Sequence, residues 1–329
     1  MTGIAECITL NNGVEMPMVG LGTFQGNYQY TSVFDVVVSS VTQAIETGYR
    51  HLDTAFIYNT EDAVGEAIGR KIQDGTVTRK DLFVTTKLWC PYHEKDRVKE
   101  CLQKSLKNLG LEYVDLYLIH WPTPMVYSTE QTWPKDENGK SIYSKTDYVE
   151  TWQGMEACVA SGLARSIGMS NFNQHQLQRI LDNCSIIPAV LQIESNPFFT
   201  NTPLIEFCKK NTINVVAYSP LGKPYRTWDN DPEKDPYFNT NETILKLAEK
   251  YKRTPGQIML RYQIQRGVGV VPKSNDKQRQ TDNIQIFDFE FSVEDMKSLH
   301  ELNRDFRILK LEPLADSPEY PFNEPYIGM

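Results

Sequence analysis

Apolar residues recur at helical spacing across residues 34–47, and Gly48 stops that run. A short extended segment follows at 51–53, and the same alternation then repeats along the chain without repeating its letters. Strand-like runs fall at 18–23, 51–53, 83–87, 114–119, 165–169, 189–193, 213–218 and 268–271. Helical patterns fill most of the intervals, at 34–47, 61–72, 94–108, 148–161, 174–183, 203–211 and 243–251. Strands alternating with helices predict βαβ units and a parallel sheet. Eight such strands, spaced by about thirty residues, predict an α/β fold of the closed (β/α)8 TIM-barrel kind. Ahead of them, Ile8-Thr9-Leu10 and Val14-Glu15-Met16 flank Asn11-Asn12-Gly13, which predicts an N-terminal β-hairpin.

An open doubly-wound sheet is the competing architecture, and it places G-x-G-x-x-G between its first strand and helix. Here Gly20-Leu21-Gly22-Thr23-Phe24-Gln25 has two of the glycines, with Gln25 at the third position and no helix at once. The barrel is therefore preferred. The chain reads as one domain, 1–329, with three segments longer than a barrel requires: 123–146, 222–239 and a Pro-rich tail, 304–329. They follow the fourth, seventh and eighth strands, which places these long loops over the C-terminal face, where barrel active sites lie.

Composition narrows the classes. Hydrophobic residues at 40% and charged residues at 23% suit a globular core. A formal net charge of −8 argues against a general nucleic-acid binder. The first twenty residues lack the pattern of a signal peptide, and no run approaches the roughly 18 apolar residues of a membrane helix. Six scattered cysteines without a C-x-x-C pair predict thiols of a reducing compartment rather than a disulfide or metal framework. The expected setting is the cytoplasm.

The candidate chemistry is organised around residues 48–59, where Asp53 ends a short strand and Tyr58 follows after Ala55-Phe56-Ile57. Lys87 and His120 end two later strands. If the strands are parallel neighbours, all four groups enter one space. A buried lysine beside a phenol is expected to lower the tyrosine pKa, and an aspartate beside the lysine to keep it charged. Such a tyrosine can protonate a carbonyl oxygen, and an imidazole can orient that oxygen. This is equipment for reducing C=O, given a source of hydride.

These segments resemble the aldo-keto reductases, specifically the aldose-reductase-like branch. The likeness runs through Gly20-Leu21-Gly22-Thr23, Gly48-Tyr49-Arg50-His51-Leu52-Asp53-Thr54-Ala55 to Tyr58, and Thr86-Lys87-Leu88-Trp89. It continues in Asp115-Leu116-Tyr117-Leu118-Ile119-His120-Trp121-Pro122, Ile167-Gly168-Met169-Ser170-Asn171-Phe172 and Gln192-Ile193-Glu194. Ala217-Tyr218-Ser219-Pro220-Leu221-Gly222 and Val271-Pro272-Lys273-Ser274 complete it.

The resemblance implies that Tyr58 is the general acid, with Lys87 and Asp53 as its tuning pair and His120 as the orienting group. It implies NADPH as cofactor. Ser170, Asn171 and Gln192 would hold the carboxamide, and Tyr218 would stack on the nicotinamide. Thr23 and Asp53 would join that cofactor site, and Ser219 and Leu221 would meet the pyrophosphate. Lys273, Ser274, Asn275 and Arg279 would take the 2′-phosphate, with Asp282 and Asn283 on the adenine. Two cations six positions apart around a polar turn also make a phosphate cradle on their own chemistry. Asp282 departs from the family's usual Glu, and Asn275 from a residue often apolar or Thr.

The implied substrate pocket is apolar: Phe24, Ile57, Tyr58, Trp89, His120 and Trp121, closed by Met125, Val126 and Tyr127 and by Phe306, Leu309 and Leu311. The expected partner is a small-molecule carbonyl compound, and the branch implies a monomer. A ketosteroid reductase (3-oxo-ecdysteroid-like) is the alternative within the same chemistry, and His120 argues against C=C reduction. From another class, a non-catalytic NADPH-binding regulatory or structural protein could use the same scaffold.

Overall fold

Leu10 and Val14 face each other across the first turn, the Leu10 N–H donating to the Val14 carbonyl at 2.9 Å, with Gly13 at φ +83°. The structure, a computed structural model, describes residues 6–26, 30–222 and 240–323. Strands β1 (Cys7–Thr9) and β2 (Glu15–Pro17) pair antiparallel, as predicted. Leu10 and Met16 pack with Phe83, Leu116, Val190 and Val216, so the hairpin covers the N-terminal end of the barrel with apolar surface.

The barrel strands are β3 (Gly20–Gly22), β4 (His51–Asp53), β5 (Phe83–Leu88), β6 (Val114–Ile119), β7 (Ala164–Ser170), β8 (Val190–Glu194), β9 (Asn214–Tyr218) and β10 (Val268–Val270). They form one parallel sheet in sequence order. A parallel bridge from Val19 to Val270 closes it, the Val270 N–H donating to the Met18 carbonyl at 2.7 Å. The outer strands of the ladder thus meet, and the open doubly-wound alternative fails. Helices α1 (Tyr30–Thr47), α2 (Glu61–Gln73), α3 (Lys95–Leu109), α4 (Tyr148–Ala160), α5 (Gln174–Leu181) and α6 (Thr202–Lys210) make the first crossovers. Gly48, at φ +114°, ends α1 where the chain must turn back into β4.

The crossover into β10 differs from the expectation. Besides α7 (Glu242–Tyr251) it holds a second helix, α8 (Pro255–Gln265). Its start was legible: Thr254 and Gln257 form a capping box around Pro255. Its body was not, because Ile258, Met259, Leu260, Tyr262, Gln263 and Ile264 are all buried and leave no polar stripe to reveal a period. Two more helices follow the barrel, α9 (Lys277–Ile284) and α10 (Val293–His300).

The expected long loop after the fourth barrel strand is ordered, with antiparallel bridges Met125–Tyr143 and Lys135–Ser141. The tail is described to residue 323, whereas nearly all of the 222–239 loop lies outside the described residues. Among the described residues no helix is long and apolar enough to cross a membrane.

Candidate active site

Asp53 is the last residue of β4 and pairs in register with Thr85 on β5. Side chains two apart on a strand share a face, so Lys87 extends on the same side as Thr85, toward the C-terminal end. Its ammonium donates to Asp53 Oδ1 at 2.6 Å and to the Thr54 carbonyl at 2.9 Å, with no solvent exposure. Gln192 Nε2, from β8, donates to Asp53 Oδ2 at 2.7 Å. Both Thr23 N–H and Thr23 Oγ1 reach the Asp53 carbonyl at 3.0 Å. Burial alone would pull the Lys87 pKa down, but the charge of Asp53 and the contacts with Tyr58 outweigh it, and the ammonium is held.

Tyr58 returns to this pair through a single 3-10 turn, Phe56–Tyr58, closed by the Tyr58 N–H on the Ala55 carbonyl at 3.0 Å. Asn59 then takes the left-handed conformation, φ +52°. The Tyr58 ring centre lies 5.0 Å from the Lys87 ammonium and 5.5 Å from the His120 ring. The expected direction of its pKa is corrected here. Burial of the phenol raises it, and the opposing pull of Lys87 is smaller, so the hydroxyl is kept protonated.

His120 lies just past β6, its N–H on the Leu88 carbonyl at 3.1 Å. Burial, and then the Lys87 charge, hold its pKa well below the usual imidazole value, so the ring is neutral. Its Nδ1 is buried without a hydrogen-bond partner.

The ends of β7, β8 and β9 bring the predicted amides together. Asn171, at φ +64°, donates through Nδ2 to the His120 carbonyl at 3.0 Å and to Ser170 Oγ at 3.1 Å. The Tyr218 hydroxyl donates to Asn171 Oδ1 at 2.7 Å. Ser219 and Gly222 both have positive φ, and the Gly222 N–H donates to the Ser219 carbonyl, so the chain turns tightly around Leu221. Beyond β10, Asp276 caps α9 by accepting from the Arg279 N–H at 2.8 Å. Lys273 is exposed, yet partial desolvation and then the Arg279 charge lower its pKa. Two cations that repel each other are both relieved by an anion between them. Ser274 Oγ donates to the Asp276 carbonyl at 3.3 Å. Asn275 is committed elsewhere, in a reciprocal amide pair with Gln25 at 2.8 and 3.2 Å. Asp282 Oδ1 accepts from Gln278 at 2.9 Å, and Asn283 is buried beside it.

The apolar walls are also assembled. Trp89 and Trp121 are buried in one cluster with Met125, Leu314 and Tyr320, and Ile57, Leu309 and Leu311 pack against it. Phe24 is 54% exposed and its ring lies 5.0 Å from that of Tyr58. Tyr127 does not join: it lies under the Arg97 guanidinium at 3.4 Å and donates to Glu100 at 3.0 Å. A cation and an acceptor on α3 outcompete the apolar pocket for a phenol. Val126 and Phe306 are likewise outside the cluster, the Phe306 N–H resting on the Phe198 carbonyl.

The family model for the aldo/keto reductase family matches residues 18–304. The chain belongs to that family. This aldo/keto reductase is 44% identical over 323 residues to human aldo-keto reductase family 1 member C1, covering 98% of each chain. It is 42% identical to bovine aldo-keto reductase family 1 member A1, covering 98% of this chain and 99% of that one. A Bombyx mori aldo-keto reductase in complex with NADP superposes with a TM-score of 0.88 at 42% identity, over 96% and 99% of the two chains. The aldose reductase of Schistosoma japonicum superposes at 0.89 with 39% identity, over 98% and 100%.

Several site-forming residues of this reductase carried no sequence signal. Trp133 stacks 5.2 Å from Trp89 and donates through Nε1 to Ser141. Phe322 lies 5.6 Å from Trp121. Glu194 lies in the Gln192-Ile193-Glu194 segment, where its letter alone gives it no role. All three lie where distant segments cross, which no local spacing reports.

Proposed function

We propose that Tyr58 is the proton donor with which this NADPH-dependent aldo/keto reductase converts aldehydes and ketones to alcohols. The observation that carries this reading is the dry Lys87–Asp53 pair at 2.6 Å, set against a protonated Tyr58 and a neutral His120. NADPH, when bound, supplies the hydride. Tyr58 holds its proton at the hydroxyl and gives it to the carbonyl oxygen as negative charge develops there. Lys87 then stabilises the phenolate left behind, and Asp53 keeps Lys87 charged throughout. His120, being neutral, can donate one hydrogen bond to the same oxygen and orient it without competing for its proton.

The donor set suits the cofactor: carboxamide partners in Ser170, Asn171 and Gln192, an aromatic face in Tyr218, a turn at Ser219 and Leu221, and paired cations in Lys273 and Arg279. Ser274, Asp282 and Asn283 extend that region. Asn275 would have to leave Gln25 to contribute. The barrel and tail act as one domain, with the tail from 304 to 323 closing the pocket. Its lining of Trp89, Trp121, Trp133, Leu309 and Leu311 favours hydrophobic carbonyl compounds, ketosteroids among them.

NADPH consumption by the purified protein with aliphatic aldehydes, aromatic aldehydes and 3-oxosteroids tests this reading. Turnover with preference for the larger apolar compounds is expected, and NADH should serve poorly. Tight NADPH binding with no turnover of any carbonyl would overturn it in favour of a regulatory or structural protein.

A further inference from the structure

Strand β8 ends in Gln192-Ile193-Glu194, and residues two apart on a strand point to the same side. Gln192 reaches down to Asp53. Glu194, one step further toward the mouth, has no exposed surface at all. An ionised carboxylate taken out of water must find donors, and Glu194 finds them in the tail. Its Oε1 accepts from the Ile308 N–H at 2.6 Å and its Oε2 from the Leu309 N–H at 2.7 Å. The two oxygens accept from successive main-chain amides, so these bonds fix where the tail backbone lies, whatever its side chains. The Glu194 carbonyl is held in turn by Asn201 Nδ2 at 3.1 Å.

We propose that Glu194 is the positioning residue that holds the tail over the mouth of the site and thereby sets the preference for large carbonyl substrates over small ones. The clamp lies at the start of the closing segment. Leu309, itself clamped, and Leu311 just beyond it pack against the cluster of Trp89 and Trp121. On its other side, the Ile308 side chain ends 3.7 Å from the point where a Gly222 Cβ would stand, beside the turn after β9. Further along, the tail is tied mostly through carbonyls: Ser141 Oγ and Tyr143 hydroxyl to the Pro313 carbonyl at 2.9 and 3.1 Å, and Gln176 Nε2 to the Glu319 carbonyl at 3.0 Å, with a longer reach to its carboxylate at 3.5 Å. Charge-assisted bonds are roughly twice as strong as neutral ones, so the carboxylate end of this series governs how well the first apolar wall is placed. A small aldehyde that reaches only Tyr58 and His120 needs little of that wall. A large ketone needs all of it.

This inference rests on reading the tail as the substrate closure, and the test separates the two. Glu194→Gln keeps the shape but leaves one acceptor oxygen, and turns an NH2 donor toward one of the tail amides. Glu194→Asp keeps two acceptors on a shorter arm. In Glu194→Gln, hydrogen–deuterium exchange should rise over residues 304–322 and remain unchanged over β5, β6 and β7. The KM for a 3-oxosteroid should rise about tenfold relative to that for propanal, the scale of one lost charge-assisted bond. Glu194→Asp should recover part of both changes. Unchanged tail exchange would overturn the clamp, and so would faster exchange spread evenly through the barrel. Faster tail exchange with an unchanged KM ratio would overturn the tail as substrate closure and leave the clamp standing as architecture alone. Should Glu194→Gln not fold, Ile308→Pro removes one clamp donor from the tail side, at a residue outside the apolar wall, and carries the same expectations.

Discussion

The floor of the site and its roof are built by different means. On the floor, Asp53, Lys87 and Gln192 sit at the ends of strands and are joined strand to strand by hydrogen bonds of 2.6 and 2.7 Å, with almost no exposure. His120 follows one residue past β6. The roof is made of two segments far apart in sequence, held by aromatic edges, by side-chain contacts to carbonyls and by the Glu194 carboxylate on the tail amides. Ser141 and Pro313, which join them, are 172 residues apart. Parallel strands allow little latitude in register, whereas a loop can change one contact without disturbing the ladder beneath it. The difference fits the proposed reading, with the reaction on the floor and the choice of substrate in the roof.

The comparison predicts distinct failures. Tyr58→Phe removes the proposed proton donor from the floor and nothing from the roof. Its kcat should fall by about a thousandfold for every substrate, with NADPH affinity by fluorescence titration unchanged. Near-normal turnover would remove Tyr58 from the mechanism.

Lys87→Met leaves Asp53 as an uncompensated buried charge, and should cost about 3–5 kcal/mol of stability in a denaturant titration. Turnover should fall with it, and a variant as stable as the parent would show that the pair is not what supports the floor.

The pH profile probes the floor without mutation. Tyr58 has its pKa raised above the ordinary 10.0, so it stays protonated as pH rises toward that value. His120 has its pKa held below the ordinary 6.5, so it stays neutral as pH falls to that value. Between those two values, kcat for reduction should be flat, and a limb titrating inside the interval would contradict the assigned protonation states.

The smallest effect belongs to the roof. Trp133→Ala removes the ring that packs on Trp89. The kcat/KM for a bulky ketone should fall severalfold, to about tenfold, with propanal nearly unaffected. Equal losses for both substrates would erase the division between floor and roof.

Much of this division was legible beforehand. The floor followed from strand-end residues on a repeating pattern, because each of Asp53, Lys87 and His120 is placed by the short strand carrying it. The direction of the Tyr58 pKa was not legible, since it depends on how far burial exceeds the pull of Lys87. Helix α8 escaped because it is buried nearly all round. Tyr127 was placed in the pocket by its position in the loop, but Arg97 and Glu100 claim it.

By itself, the order of apolar and polar residues determined the barrel, the hairpin and the chemical groups at the strand ends. These depend on interactions local in the chain, or repeated along it, and a period is visible in letters. Tertiary structure decided the rest: the barrel's closure between Val19 and Val270, the reciprocal pairing of Asn275 with Gln25, and the seating of the tail on Glu194. Each of those joins residues more than a hundred positions apart. Which partner a buried polar group takes is set by what the completed fold brings within about 3 Å of it, and no spacing in the sequence records that distance.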